Sequence, residues 1–133
     1  MLPEDIRQAL ERATLLYVTT YSSTGQAGTV PVLFFVHHNA IYFSTKRESL
    51  KVRRLRRQGR ATIHIGQRCG PQLHCVAQLL ADERSLQQLL LQAYRRRYPL
   101  RGLLLVPLLR RAFARGTELL VRLTPEPAAD RPA

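Results

Sequence analysis

The stretch YFSTKRESLKVRRLRR, residues 42–57, opens as a strand and closes as a strongly basic helix. Aromatic and hydroxyl side chains over 42–45 suit a pleated, half-buried surface. From about Glu48 to Gln58 the spacing changes to that of a helix, with Val52 and Leu55 on one face and Gly59 placed to stop it. Arg53, Arg54, Arg56 and Arg57 are left for the outer surface. A helix that begins here presents unpaired backbone N–H groups and the positive end of its dipole toward the preceding strand. The hydroxyls of Ser44, Thr45 and Ser49 can donate hydrogen bonds to the same place, and Lys51 adds a mobile positive charge. That combination is an anion pocket. Read without its neighbours, it is equally a capped helix end, with Thr45 or Ser49 as the cap and Lys51 in water.

Working outward, 15–21, 28–36 and 40–45 are rich in aromatic and β-branched residues and predict three strands, joined by the turns SSTGQ and HHN. Pro3 to Arg12 predicts a short helix before them, with acidic residues in its first turn and Ile6 and Leu10 on one face. After the basic helix come strands at 61–65 and 72–80 and a helix within 81–98. A further helix spans Leu100 to Phe113, with a break expected near Pro107, and a last strand follows at 118–123. The expected fold is mainly β: six antiparallel strands in a Greek-key barrel with helices at its side. One domain spans 1–124, and the Pro-rich segment 125–133 is expected to be disordered.

Apolar residues make up 45% of the 133-residue chain and charged residues 23%, which is a globular composition. The net charge of +12 favours anionic partners. Acidic residues near the N-terminus and two cysteines point to a cytoplasmic protein with free thiols, without a secretory leader or a disulfide framework. The longest apolar run, 103–109, is far shorter than the roughly 20 residues of a membrane span, so no membrane partner is expected. His64, Cys69, His74 and Cys75 match no common zinc spacing, and no metal site is assigned.

The segments TVPVLFFVHHNAIYFST, SLKVRRLRR and RATIHI resemble the pyridoxamine 5'-phosphate oxidase-like split β-barrels that bind FMN. Within that family they are most similar to the short bacterial branch described as deazaflavin (coenzyme F-420)-dependent oxidoreductases. The likeness runs from about Ala9 to the last strand. It implies a homodimer with a flavin-type cofactor between subunits, FMN or F-420, and hydride transfer to or from a small organic substrate. It also implies that Thr29, Val30, Pro31 and Val32 lie along the ring, and that Ser44, Thr45, Ser49 and Lys51 hold the phosphate. Many FMN oxidases of the family carry Arg at the positions of Thr29 and Leu50; their replacement points away from pyridoxamine-phosphate oxidation. No catalytic residue is assigned, since hydride transfer is the cofactor's chemistry. The alternatives are a flavin- or haem-binding protein without turnover, or a basic nucleic-acid-binding module. For the last, the arginine clusters come without any recognised DNA- or RNA-binding pattern.

Overall fold

The computed structural model describes residues 2–126. In chain order the elements are α1 (Glu4–Arg12), β1 (Leu16–Tyr21), β2 (Ala27–Val32), β3 (Phe35–His37), β4 (Ala40–Lys46), α2 (Leu50–Arg57), β5 (Arg60–Ile65) and β6 (Gln72–Leu80). They continue with α3 (Arg84–Arg97), α4 (Pro99–Arg115) and β7 (Glu118–Pro125). All seven strands form one antiparallel sheet in the order β2-β1-β5-β6-β7-β4-β3.

Seven strands replace the six expected because the run 28–36 is interrupted at Leu33 and Phe34. β2 pairs with β1 and β3 pairs with β4, which places the two halves of the run at opposite edges of the sheet. Only these two residues join the edges, a span of at most about 11 Å across three Cα steps. The sheet therefore has to curl back on itself, giving a half-barrel whose seam is crossed by covalent chain. Pro31 sits in the edge strand β2, where its missing N–H breaks no second ladder.

The curl has two apolar faces. Inside it, Leu16, Val18, Phe34, Ile41, Phe43, Ile63 and Val121 form a core closed by Ile6 and Leu10 of α1 and Val52 and Leu55 of α2. Outside it, Phe35, Tyr42 and Leu120 pack under α3 and α4 through Leu90, Tyr94, Val106 and Leu109. Alternate residues of β4 and β7 thus serve different cores, so these strands read as unbroken apolar runs.

Several local expectations are corrected. α4 runs unbroken through Pro107, which lies on the exposed side, where water can reach the carbonyl deprived of its donor. Gly59 does not end α2 in a left-handed cap; Gln58 ends it in extended backbone, and the left-handed glycine cap belongs to Gly116 after α4. His38 and Asn39, both at positive φ, form the tight turn between β3 and β4. Arg54 is not on the outer surface: its guanidinium folds onto β1 and donates to the Thr20 carbonyl at 3.4 Å. Arg97 is likewise consumed by the fold. It donates to the carbonyls of Leu10 and Ala13 at the end of α1 and lies 4.4 Å over the Phe34 ring.

β7 continues to Pro125, and the Glu126 N–H donates to the His74 carbonyl; the rest of the segment expected to be disordered, 127–133, lies outside the described residues. Among the described residues no helix is long and apolar enough to cross a membrane.

Both cysteines are free. Cys75 is fully buried, and burial, aided by the charge of Glu126, pushes its thiol up to about 12, whereas Cys69 is exposed. A disulfide-exchange reagent is therefore expected to titrate one thiol per native chain and two after denaturation. Rapid loss of both thiols under native conditions would contradict this packing.

Candidate functional site

A cavity of about 520 Å³ opens where β2 ends, β4 meets α2, and α4 crosses over β7. β2 and the seam supply Pro31, Val32 and Leu33; β4 supplies Ser44, Thr45 and Lys46; the start of α2 supplies Ser49 and Lys51. The remaining wall is Tyr94 of α3, Leu105, Leu108, Leu109 and Ala112 of α4, and Glu118 of β7. Six of the eight residues assigned from sequence are brought together here. Thr29 and Val30 are not: Thr29 Oγ1 lies 2.7 Å from Thr19 Oγ1 across the β1–β2 ladder.

Ser49 caps α2, accepting from the Val52 N–H at 3.3 Å. Its hydroxyl also lies 3.2 Å from that of buried Thr45. If Thr45 donates in that pair, Ser49 keeps its own proton for a ligand. Consecutive strand residues point to opposite faces, which sends Thr45 toward the inner core and Ser44 toward the helical side. The cap is thus real, but Lys51 is not in water: it is half-buried in the cavity wall. Burial holds its ammonium below the usual lysine range, and the charge of Glu118 acts the other way. Leu50 beside it is 58% exposed.

Sequence reading missed Glu118 and Tyr94. Glu118 stands directly opposite Lys46 in the β4–β7 ladder and is only 8% exposed. Burial raises its carboxyl above the usual range, against a hydrogen bond from Ser44 and the charges of Lys46 and Lys51. The Tyr94 hydroxyl donates to the Leu33 carbonyl at 2.7 Å, so α3 pins the seam that forms one lip of the cavity. Glu118 is placed by the β4–β7 pairing of residues more than seventy positions apart and Tyr94 by a contact with Leu33, 61 positions away, and no local pattern contains either.

The lining has the chemistry of an anion site beside an apolar slot: hydroxyl donors, an ammonium and a helix start at one end, proline, valine and leucines at the other. The sequence profile of the family described as Pyridoxamine 5'-phosphate oxidase matches residues 2–127. The chain belongs to the pyridoxamine 5'-phosphate oxidase family.

Solved structures with the pyridoxamine 5'-phosphate oxidase family's fold resemble the chain over nearly its full length. A haem storage protein from Vibrio cholerae superposes with a TM-score of 0.70 at 13% identity, covering 96% of this chain and 92% of its own. An F420 reductase gives 0.65 at 13%, covering 95% and 97%. A pyridoxamine 5'-phosphate oxidase-related, FMN-binding protein from Nostoc punctiforme gives 0.61 at 19%, covering 94% and 81%. At these identities the likeness is one of fold. No curated protein matches the chain.

The residues present fit a flavin-type cofactor in kind. The donor set of Ser44, Ser49 and Lys51 suits a phosphoryl group, and the apolar end suits a flat ring. The tempting cluster of His64, Cys69, His74 and Cys75 does not converge. His74 Nδ1 lies 3.0 Å from Thr62 Oγ1 on the side of β6 away from buried Cys75, and no metal-holding group of three occurs among the described residues.

Proposed function

We propose that the chain is a flavin- or deazaflavin-dependent oxidoreductase that holds its cofactor's phosphate at the start of α2. The observation that carries the reading is Lys51, half-buried in a cavity shared with Ser44, Ser49 and the end of β2. When bound, the cofactor would supply hydride transfer; the chain supplies binding, orientation and exclusion of water. Lys51 and the hydroxyls neutralise the phosphate, while Pro31, Val32 and the α4 leucines offer an apolar wall to the ring. The family supports FMN as cofactor, and the likeness to an F420 reductase supports the deazaflavin equally.

A homodimer with the cofactor between subunits completes the proposal. The apolar run 32–36 gives this little support, since Phe34 and Phe35 are buried within the chain. Support comes instead from α4, whose Leu100, Leu103, Leu104 and Leu108 are 63–82% exposed, an unusual apolar row for a lone subunit. Leu108 also lines the cavity, so a second copy seated on that row would reach the site.

Titration of the purified protein with FMN and with F-420, followed by fluorescence, tests the reading. Saturable binding of at least one, tighter than about 1 mM, is expected. Affinity for neither would refute it.

A further inference from the structure

Glu118 is the residue that an anion pocket should not contain. It lines the cavity, buried, across the ladder from Lys46. Every neighbouring element presents it with a defined group. β4 places the Ser44 hydroxyl and Lys46 in the same cavity, α2 places Lys51, and α3 places Tyr94, whose phenol donates to the Leu33 carbonyl. α4 contributes only Leu105, Leu108, Leu109 and Ala112, none of which titrates. Without ligand, the positive charges of Lys46 and Lys51 act on the Glu118 carboxyl across the cavity, without a direct ion pair among the described residues. A phosphoryl dianion that engages Lys51 competes with Glu118 for the same charge. It also sets two like charges together in a partly dry site, where screening is weak.

One proton resolves the conflict. Shared between a carboxyl oxygen and a phosphoryl oxygen, it converts repulsion into a charge-assisted hydrogen bond, and the balance is the same whichever oxygen formally carries it. The proton comes from solvent, and no other bond forms or breaks. Burial already favours the neutral carboxyl.

We propose that Glu118 is the proton-carrying contact of the bound phosphoryl group, so that each phosphate enters the cavity with one proton shared between them. The inference rests on the placement of the phosphate beside Lys51 given above. Its sign follows directly. Binding raises the proton affinity of Glu118, so the contribution is complete at low pH and is lost as pH rises through the value in the complex.

Calorimetric titration with FMN tests it, in two buffers of different protonation enthalpy, over about pH 7 to 8.5, where the free phosphate monoester has lost its second proton. The wild type is expected to take up about one proton per FMN, and its affinity to fall toward tenfold per pH unit. Riboflavin, which lacks the phosphate, is expected to bind without uptake. Glu118→Gln, which keeps a donor of the same shape but does not titrate, is expected to bind FMN without uptake and with pH-independent affinity. FMN binding by the wild type with no proton uptake overturns the proposal whether or not the variant folds. Uptake that survives in Glu118→Gln places the proton on another group, Lys51 or the phosphate itself, and overturns it as well. If the wild type binds neither FMN nor F-420, the cofactor reading itself falls and takes this inference with it.

Discussion

Replacing Lys51 by alanine is expected to weaken FMN or F-420 binding by about 1.5–3 kcal/mol, roughly 10- to 150-fold, the range for hydrogen bonds to charged groups. The large end applies because Lys51 is half-buried, where salt screens its charge poorly. The Ser49 cap and the first N–H groups of α2 remain in the variant, so binding is weakened and not abolished. Lys51→Arg keeps the charge but replaces a compact ammonium with a planar fork, and a smaller loss is expected. The fold should tolerate both changes, because Glu118 still faces Lys46 across the ladder. Measured side by side, unchanged cofactor affinity with an unchanged unfolding midpoint would remove Lys51 from the site.

The largest stability effect is expected at the seam. Phe34 is completely buried, packs in the inner core, and carries the Arg97 guanidinium 4.4 Å above its ring. Phe34→Ala is expected to cost about 3–5 kcal/mol through lost transfer energy and the cavity left behind. That is a large share of the roughly 5–15 kcal/mol by which a domain is stable. Arg97 would keep its bonds to the ends of α1 but lose its aromatic platform, which adds to the cost. Leu50→Ala removes an apolar side chain at a position 58% exposed and outside the α4 row, and should change stability by less than about 0.5 kcal/mol. Urea unfolding of the two variants checks the contrast, and equal midpoints would contradict the assignment of Phe34 to the inner core.

What the sequence made legible was what local chemistry determines. α1, with Ile6 and Leu10 four apart, and α2, with its serine cap and buried Val52 and Leu55, stand where the spacing placed them. The approach of Ser44, Ser49 and Lys51 was readable for the same reason, since strand, cap and first turn lie within eight consecutive residues. The seam was not readable. TVPVLFFV is continuously apolar, and its interruption at Leu33 and Phe34 depends on which distant strands each half joins. Glu118 was hidden similarly, because only the β4–β7 register sets it beside Lys46 and Lys51. Thr29, assigned to the ring by resemblance alone, is not in the lining of this cavity, and its hydroxyl lies 2.7 Å from that of Thr19 in the neighbouring strand.

A crystal structure of the protein with FMN tests the central claim most directly. The account predicts the phosphorus in the cavity between β4 and α2, its oxygens within about 3 Å of Lys51 Nζ and Ser49 Oγ. A phosphate seated elsewhere would contradict it, for instance in the separate cavity formed by Tyr21, Thr62 and His74, with Lys51 left without a phosphate contact.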